Sequence, residues 1–272
     1  MLDFAARVDI GVRKKNDDRL LVAGQILDME SCSGQTDTPA VIAVCDGCGG
    51  YEGGGLAAQT VLEILSAEDA RKLTDQVYLA QTLEKCKAAV YAKKEDNPKF
   101  ADMCTTVAGC VLTDECTVIF HSGDSRVYRY DDWGLVRITR DHSVVQGMID
   151  DAVITEKEAR SHPDRNLITR CIGVNGLPPE IYISGNTIKP GDVYLFCSDG
   201  LWESVTDDAI TAVLESGIAV SEMVETLVEM ALCNGADDNI SLCICIGTED
   251  EDRGSVDNEV NEVSEVKDTT EE

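Results

Sequence analysis

The sequence predicts a mixed α and β fold, on three observations. Short apolar runs bounded by turn residues recur along the chain. Other segments carry apolar residues at helical spacing. Asp-Gly or Asp-Asn pairs stand beside the apolar runs at three separate places, Asp46-Gly47, Asp199-Gly200 and Asp238-Asn239.

The elements follow in order. Residues 7–11 and 20–27 read as strands, and 28–39, rich in Ser, Gly, Thr and Asp, as a surface loop. The apolar run 40–45 reads as a buried strand. Leu56, Ala57, Val61, Leu62, Ile64 and Leu65 have helical spacing, and Gly53-Gly54-Gly55 lets that helix start close to the Asp46 turn. A second helix spans 74–94 and ends at Asn97-Pro98. Strands are predicted over 105–112, 116–122 and 126–130, with turns at 113–115 and 122–124 joining them as hairpins. Residues 144–160 are helical in patches around Asp150-Asp151. Runs 181–188 and 193–197 read as strands flanking the turn Lys189-Pro190-Gly191-Asp192. Helices over 207–215 and 221–232 precede a last strand at 240–246. Residues 249–272 hold many carboxylates and no aromatic ring, too little apolar surface to offset ordering entropy. The expected organisation is one domain over 1–248 and a disordered acidic tail over 249–272, with no internal repeat.

The formal net charge of −28 argues against general nucleic-acid binding, since nothing would neutralise phosphates. No run approaches the roughly 20 apolar residues of a membrane helix, and Met1, Asp3 and Asp9 open the chain with no leader-like apolar segment. A cytoplasmic protein is expected. Its twelve cysteines lie mostly in strand-like runs, where a reduced thiol is a small buried hydrophobe. Cys45 and Cys48 have C-x-x-C spacing and Cys243 and Cys245 C-x-C spacing. His121, His142 and His162 are not spaced to complete a zinc site around either pair, so no zinc or redox role is predicted.

The chemistry lies in carboxylates. Asp46 and Asp199 each end an apolar run and precede a glycine, and Asp238 opens the run 240–246. One Asp-Gly is usually a turn former. Three with such strand contexts can converge at one end of a sheet, where they repel unless a hard divalent cation lies between them. Gly123-Asp124-Ser125-Arg126 adds another acidic turn, and Arg13 opens a cation-and-carboxylate stretch at 13–18, with arginine suited to bidentate phosphate recognition. Neither a G-x-S-x-G elbow nor a P-loop is present. A metal-dependent hydrolase is the chemistry these residues suggest.

The ordered motifs resemble those of the metal-dependent Ser/Thr protein phosphatases of type 2C, bacterial type, over about residues 5–247. Residues 13–18 are similar to the family's Arg-x-x-Asn-Glu-Asp, 46–50 to Asp-Gly-x-Gly-Gly, Cys104-Thr105-Thr106 to Gly-Thr-Thr, and 123–126 to Gly-Asp-Ser-Arg. Asp141-His142-Ser143 is followed by a flap-like segment ending at Ile168-Thr169-Arg170. Residues 198–203 match Ser-Asp-Gly-Leu-Trp-Glu, and Asp238-Asn239 matches Asp-Asn.

The resemblance implies a four-layer α-β-β-α sandwich with two central antiparallel sheets. It implies two Mn²⁺ or Mg²⁺ ions about 3.5–4 Å apart, bridged by Asp46. The Gly47 carbonyl would join one ion, Asp199 and Asp238 the other, and Asp18 would reach a metal through water. Asp124 with Asp199 resembles a third-metal site, and Arg13 would grip the substrate phosphate. A metal-bridged hydroxide would attack phosphoserine or phosphothreonine directly, with Asp46, Asp199 and Asp238 as the catalytic set. Phosphoproteins, a Ser/Thr kinase among them, would be the partners of a monomer that binds neither nucleic acid nor membrane. Three departures stand out. Asp17 replaces the usual Glu, Cys104 the usual Gly, and Cys48 occupies the position of a histidine proposed as general acid in animal members, leaving that role to a metal-bound water. The alternatives are a phosphoprotein- or kinase-binding module without turnover, and a metal-dependent phosphoesterase for small molecules.

Overall fold

Leu2, Phe4, Ala6 and Val8 alternate along the first strand with residues that face the other way, and this period of two sets the architecture. The computed structural model describes residues 1–48, 53–185 and 187–249. Gly49 and Gly50 of the glycine turn, and all but the first residue of the acidic tail expected over 249–272, lie outside the described residues.

The strands are β1 (Leu2–Asp9), β2 (Arg19–Val22), β3 (Gln25–Leu27), β4 (Ser31–Thr36), β5 (Ala40–Cys45), β6 (Val107–Leu112), β7 (Thr117–Ser122), β8 (Arg126–Asp131), β9 (Gly134–Arg137), β10 (Glu180–Ser184), β11 (Val193–Cys197) and β12 (Ile240–Gly247). The helices are α1 (Gly54–Ala67), α2 (Gln76–Asp96), α3 (Val144–Asp150), α4 (Glu156–Ala159), α5 (Asp199–Trp202), α6 (Asp207–Leu214) and α7 (Val220–Cys233). Two six-stranded sheets result, ordered β4-β1-β12-β11-β8-β9 and β10-β7-β6-β5-β2-β3. All their strand pairings are antiparallel.

Three apolar layers hold four layers of structure together. Between the sheets lie Phe4, Val8, Ile42, Val44, Cys110, Tyr194, Phe196, Cys243 and Cys245. Strand neighbours pointing the other way, Leu195, Leu242 and Ile244, pack against Leu201, Ile210, Leu227 and Val228 of the helices on one outer face. Ala43, Cys45, Val107 and Val111 pack against Val61, Leu65, Leu79 and Leu83 of α1 and α2 on the other. The order is α-β-β-α, as the resemblance implied. Strands covered on both sides read as continuous apolar runs, which is why 40–45 carries no polar alternation.

Four local expectations are corrected. Residues 20–27 form two strands, β2 and β3, because Ala23 (φ 49°) and Gly24 (φ 73°) make a two-residue turn with positive φ at both positions. The predicted loop 28–39 contains β4, a mostly exposed edge strand held to β1 by backbone pairing, so its sequence shows no apolar period. Strand β1 begins at Leu2, earlier than the expected start at residue 7. The turn at 122–124 is not a hairpin: β7 pairs with β6 and β10, whereas β8 pairs with β11 and β9 in the opposite sheet. The chain crosses between sheets there, and Asp124 sits at the crossing.

Candidate metal centre

Asp46 directly follows β5 and Asp199 follows Ser198 at the end of β11, while Asp238 stands two residues before β12. The two sheets place these strand ends together. Asp18 precedes β2, and Asp124 occupies the crossover between β7 and β8. All five expected carboxylates therefore belong to one end of the sandwich. Burial is the largest cause raising the pKa of every one of them, and for Asp46 and Asp199 the neighbouring carboxylates add to it. Asp46 is held well above the carboxylate range by burial, then by Asp199, Asp18, Asp124 and Asp238. Burial likewise lifts Asp199, with Asp124 and Asp238 next. Asp124 is pushed up to about 7 by burial and by Asp141. Asp18 is pushed up to about 6 by burial, against a hydrogen bond from the Ser198 hydroxyl to its Oδ2 at 2.7 Å. Burial also raises Asp238.

The backbone around these groups is fixed closely. The Asp46 N–H donates to Thr106 Oγ1 at 3.0 Å, and the Asp46 carbonyl accepts from the Thr106 N–H at 2.8 Å and the Thr105 hydroxyl at 2.9 Å. Gly47 admits no side chain: a Cβ there would stand 2.3 Å from the Gly54 carbonyl carbon and 2.6 Å from the Asp17 carbonyl oxygen. Gly200 is similarly constrained, its Cβ position lying 2.0 Å from the Asn239 carbonyl oxygen. This contact packs the Asp199 turn onto the Asp238 turn.

Several residues not assigned a role from sequence build the frame. Asp17 does not join the carboxylates through its side chain. Its Oδ1 accepts from the Gly55 N–H at 2.8 Å and so caps α1, which has no cap of its own. Asn239 ties three segments together, donating to the carbonyls of Ile10 and Lys15 and accepting from the Asp17 N–H, each at 2.9 Å. Arg126 grips Asp141 with Nε and Nη2 at 3.0 and 2.6 Å, and its guanidinium lies 3.5 Å from the centre of the Trp202 ring. The Trp202 indole N–H donates to the Asp124 carbonyl at 3.0 Å. His142 accepts the Gly123 N–H on Nδ1 at 3.1 Å and stacks on His121 at 4.5 Å. The motifs containing Asp124, Asp141 and Asp199 are thus one interlocked unit.

Arg13 lies at the edge of the carboxylates, donating to Asp238 Oδ2 at 2.7 Å and to the Asp237 carbonyl at 2.6 Å. Beside it a cavity of 410 Å³ is lined by Arg126, Arg160, Arg165, Trp202, Glu203 and Asp237, among others.

The donor set fits a hard divalent cation. Its available atoms are carboxylate and carbonyl oxygens, the preference of Mg²⁺ and Mn²⁺. Asp199 Oδ1 is buried with no hydrogen-bond donor, a cost that a cation removes. A pH dependence follows for the metal-free protein. Carboxylates whose folded pKa is raised above the unfolded value cost stability when ionised, and this cost disappears as pH falls through the folded pKa. Between about pH 8 and 6.5 the melting temperature of chelated protein should therefore rise as pH falls, since Asp124 titrates near 7. Below that window His121, pushed down to about 4 by burial and His142, acts in the opposite sense, because the unfolded imidazole takes up a proton first. Saturating Mn²⁺ should raise the melting temperature at about pH 8 and remove the rise. Scanning calorimetry with and without chelator checks this; a metal-free profile that falls from about pH 8 to 6.5 would contradict it.

The sequence profile described as protein phosphatase 2C matches residues 28–233. The chain belongs to the protein phosphatase 2C family. It is 31% identical over 246 residues to the serine/threonine protein phosphatase PstP of Mycobacterium tuberculosis, covering 90% of this chain and 45% of that protein. The chain thus spans about half the length of that relative. The serine/threonine phosphatase stp of Listeria monocytogenes is 28% identical over 216 residues, covering 76% of this chain and 84% of that protein. Among solved structures, the catalytic domain of PstP in complex with two manganese ions superposes with a TM-score of 0.74 at 30% identity, covering 90% of this chain and 99% of that one. Stp1 of Staphylococcus aureus superposes with a TM-score of 0.79 at 26% identity, covering 90% and 95%. Both of these structures superpose on the two-sheet sandwich found here. Among the described residues no helix is long and apolar enough to cross a membrane.

Proposed function

We propose that this chain is a metal-dependent protein serine/threonine phosphatase whose phosphatase domain comprises residues 1–248. The observation that carries the proposal is the cluster of Asp18, Asp46, Asp124, Asp199 and Asp238, with one Asp199 oxygen buried and unpartnered, in a chain of this family. Asp46 would serve two Mn²⁺ or Mg²⁺ ions, with the Gly47 carbonyl, Asp18, Asp199 and Asp238 completing their shells and Asp124 with Asp199 holding a third. When bound, such ions supply a water of lowered pKa and neutralise charge on the phosphoryl oxygens.

The protein's own groups orient the substrate. With Asp238 holding an ion, the Arg13 guanidinium would be free to bind two oxygens of the substrate phosphate at once. Residues flanking the phosphoamino acid lie in the cavity lined by Arg160, Arg165 and Trp202. Ser198 holds Asp18 in position through the 2.7 Å hydrogen bond. Phosphorylated proteins, a Ser/Thr kinase among them, are the proposed substrates, and the enzyme acts as a cytoplasmic monomer.

Comparing kcat/KM for a phosphothreonine peptide and for a small aryl phosphate tests the reading. Higher kcat/KM for the peptide is expected. Efficient turnover of the small ester alone would assign a small-molecule phosphoesterase, and binding of the phosphopeptide without turnover would assign a recognition module. Arg13→Ala should raise KM by roughly tenfold with kcat little changed, as expected for a half-exposed charged contact of about 1.4 kcal/mol made equally in ground and transition states. Initial-rate kinetics on both substrates check it. An unchanged KM on both would make Arg13 only a structural partner of Asp238.

A further inference from the structure

Three cysteines that the proposed reaction does not use meet beside the glycine turn. The Sγ atoms of Cys48, Cys104 and Cys171 all lie within 4.8 Å of one another. Backbone pairing brings them together. Thr105 bridges Gly47 on one side and Ile172 on the other, both antiparallel. The Cys48 N–H donates to the Cys104 carbonyl at 2.9 Å, and Thr105 and Ile172 exchange backbone hydrogen bonds at 3.0 and 2.8 Å. This register sets Cys48 opposite Cys104 on one side and Gly173 opposite it on the other. Cys171, two residues before Gly173, lies on the same face. Gly173, at φ 102°, leaves that face open: a Cβ there would stand 3.2 Å from the Cys104 Cα. The diagonal Cys171 thiol therefore reaches its two neighbours.

Cys45, the C-x-x-C partner of Cys48 in sequence, takes no part. It is fully buried at the end of β5 and packs under the α1 and α2 layer. The thiol trio is assembled from segments far apart in the chain, and it differs in kind from the oxygen-lined centre beside it. Thiolates select soft or borderline ions, whereas carboxylates and carbonyls select Mg²⁺ and Mn²⁺.

We infer that Cys48, Cys104 and Cys171 form a separate thiolate site for Zn²⁺. Three thiolates at about 2.3 Å from a tetrahedral zinc stand about 3.8 Å apart, so side-chain rotations of the order of 1 Å convert the observed cluster into a ligand set. Each thiol gives its proton to solvent on binding, and no electron moves. Water takes the fourth position. A zinc ion with three thiolates carries a net charge of −1, and the Lys94 ammonium, which donates to the Gly173 carbonyl, stands close enough to offset it. Cys48 directly follows Gly47, so zinc bound here also restrains the turn that presents Asp46. Binding itself does not depend on the phosphatase reading.

The test is a titration of the full chain, demetallated and kept reduced with a phosphine, with Co²⁺ as a spectroscopic stand-in for zinc. One equivalent should give an intense thiolate-to-cobalt charge-transfer band together with the visible bands of a tetrahedral ion, and one equivalent of Zn²⁺ should displace it. Cobalt in the carboxylate centre gives no thiolate band, so the two sites are read apart. Cys104→Ser and Cys171→Ser should each lower zinc affinity by more than the roughly 10–100-fold that loss of a supporting second-shell partner costs. Cys104→Gly, which installs the residue common in the family, supplies a second substitution at that position. Far-ultraviolet circular dichroism confirms that each variant is folded before titration. Cys233→Ser, at an exposed cysteine on α7, should leave the titration unchanged. Absence of the charge-transfer band in the wild-type chain would overturn the inference. So would a band that persists in folded Cys104 and Cys171 variants, or one that disappears with Cys233→Ser.

Discussion

Asp199→Asn is expected to lower metal-stimulated turnover by roughly 100-fold or more while leaving the metal-free protein as stable as the wild type, or more so. Asp199 Oδ1 is buried and accepts no hydrogen bond, so the neutral amide forfeits no protein donor at that atom. Burial, Asp124 and Asp238 all disfavour the Asp199 charge, and the substitution relieves each of them. The loss comes instead through the cation. An anionic ligand is removed, the ion is held less tightly, and the water it activates becomes a weaker acid. Wild type at about 100 times the Kd of Mn²⁺ gains about 2.7 kcal/mol by mass action, or a melting-temperature rise of several degrees at roughly 2–4 °C per kcal/mol. The mutant should lose most of that rise. Steady-state kinetics and melting curves with and without Mn²⁺ check both halves. Full turnover would remove Asp199 from the site, and a large loss of metal-free stability would make it a structural residue.

Arg126→Met should destabilise the fold by about 3–5 kcal/mol, the usual result of removing one member of a buried ion pair. Arg126 is buried, binds both Asp141 oxygens, donates to the Tyr128 hydroxyl at 2.9 Å and lies on the Trp202 ring. Methionine keeps much of the volume but leaves Asp141, among the described residues, with the longer 3.4 Å contact to Arg137. The pairing of Arg126→Met with Asp141→Leu should recover much of the loss, because neither member of the pair is then left as an unpaired buried charge. Urea denaturation gives the test, with midpoints compared at constant slope. A loss below about 1 kcal/mol would show that Arg137 suffices for Asp141.

What was legible in the sequence divides along physical lines. The convergence of Asp46, Asp199 and Asp238 was legible because each sits beside an apolar run next to a turn residue, a local pattern that needs no knowledge of partners. The long apolar strands and α1, α2, α6 and α7 were legible for the same reason. The crossing at 122–124 was not, since Ser122-Gly123-Asp124 has the composition of a hairpin turn, and only pairing shows that β7 and β8 belong to different sheets. Edge strand β4 pairs by backbone alone and leaves little mark in side-chain pattern. Asp17 caps a helix far along the chain, and Asn239 joins segments more than 200 positions away. Local pattern carries no trace of either. The thiol trio is the extreme case: C-x-x-C spacing drew attention to Cys45, whereas sheet register selects Cys104 and Cys171.

The most direct test of a carboxylate-built hydrolytic centre is release of inorganic phosphate from a phosphothreonine peptide by the chelated full-length chain as Mn²⁺ is added back, beside Asp46→Asn. Phosphate release should be absent in chelator, rise to saturation with Mn²⁺ and stay near background in Asp46→Asn at every Mn²⁺ concentration. Release that persists in chelator, or an Asp46→Asn protein that follows the wild-type Mn²⁺ curve, would contradict the account.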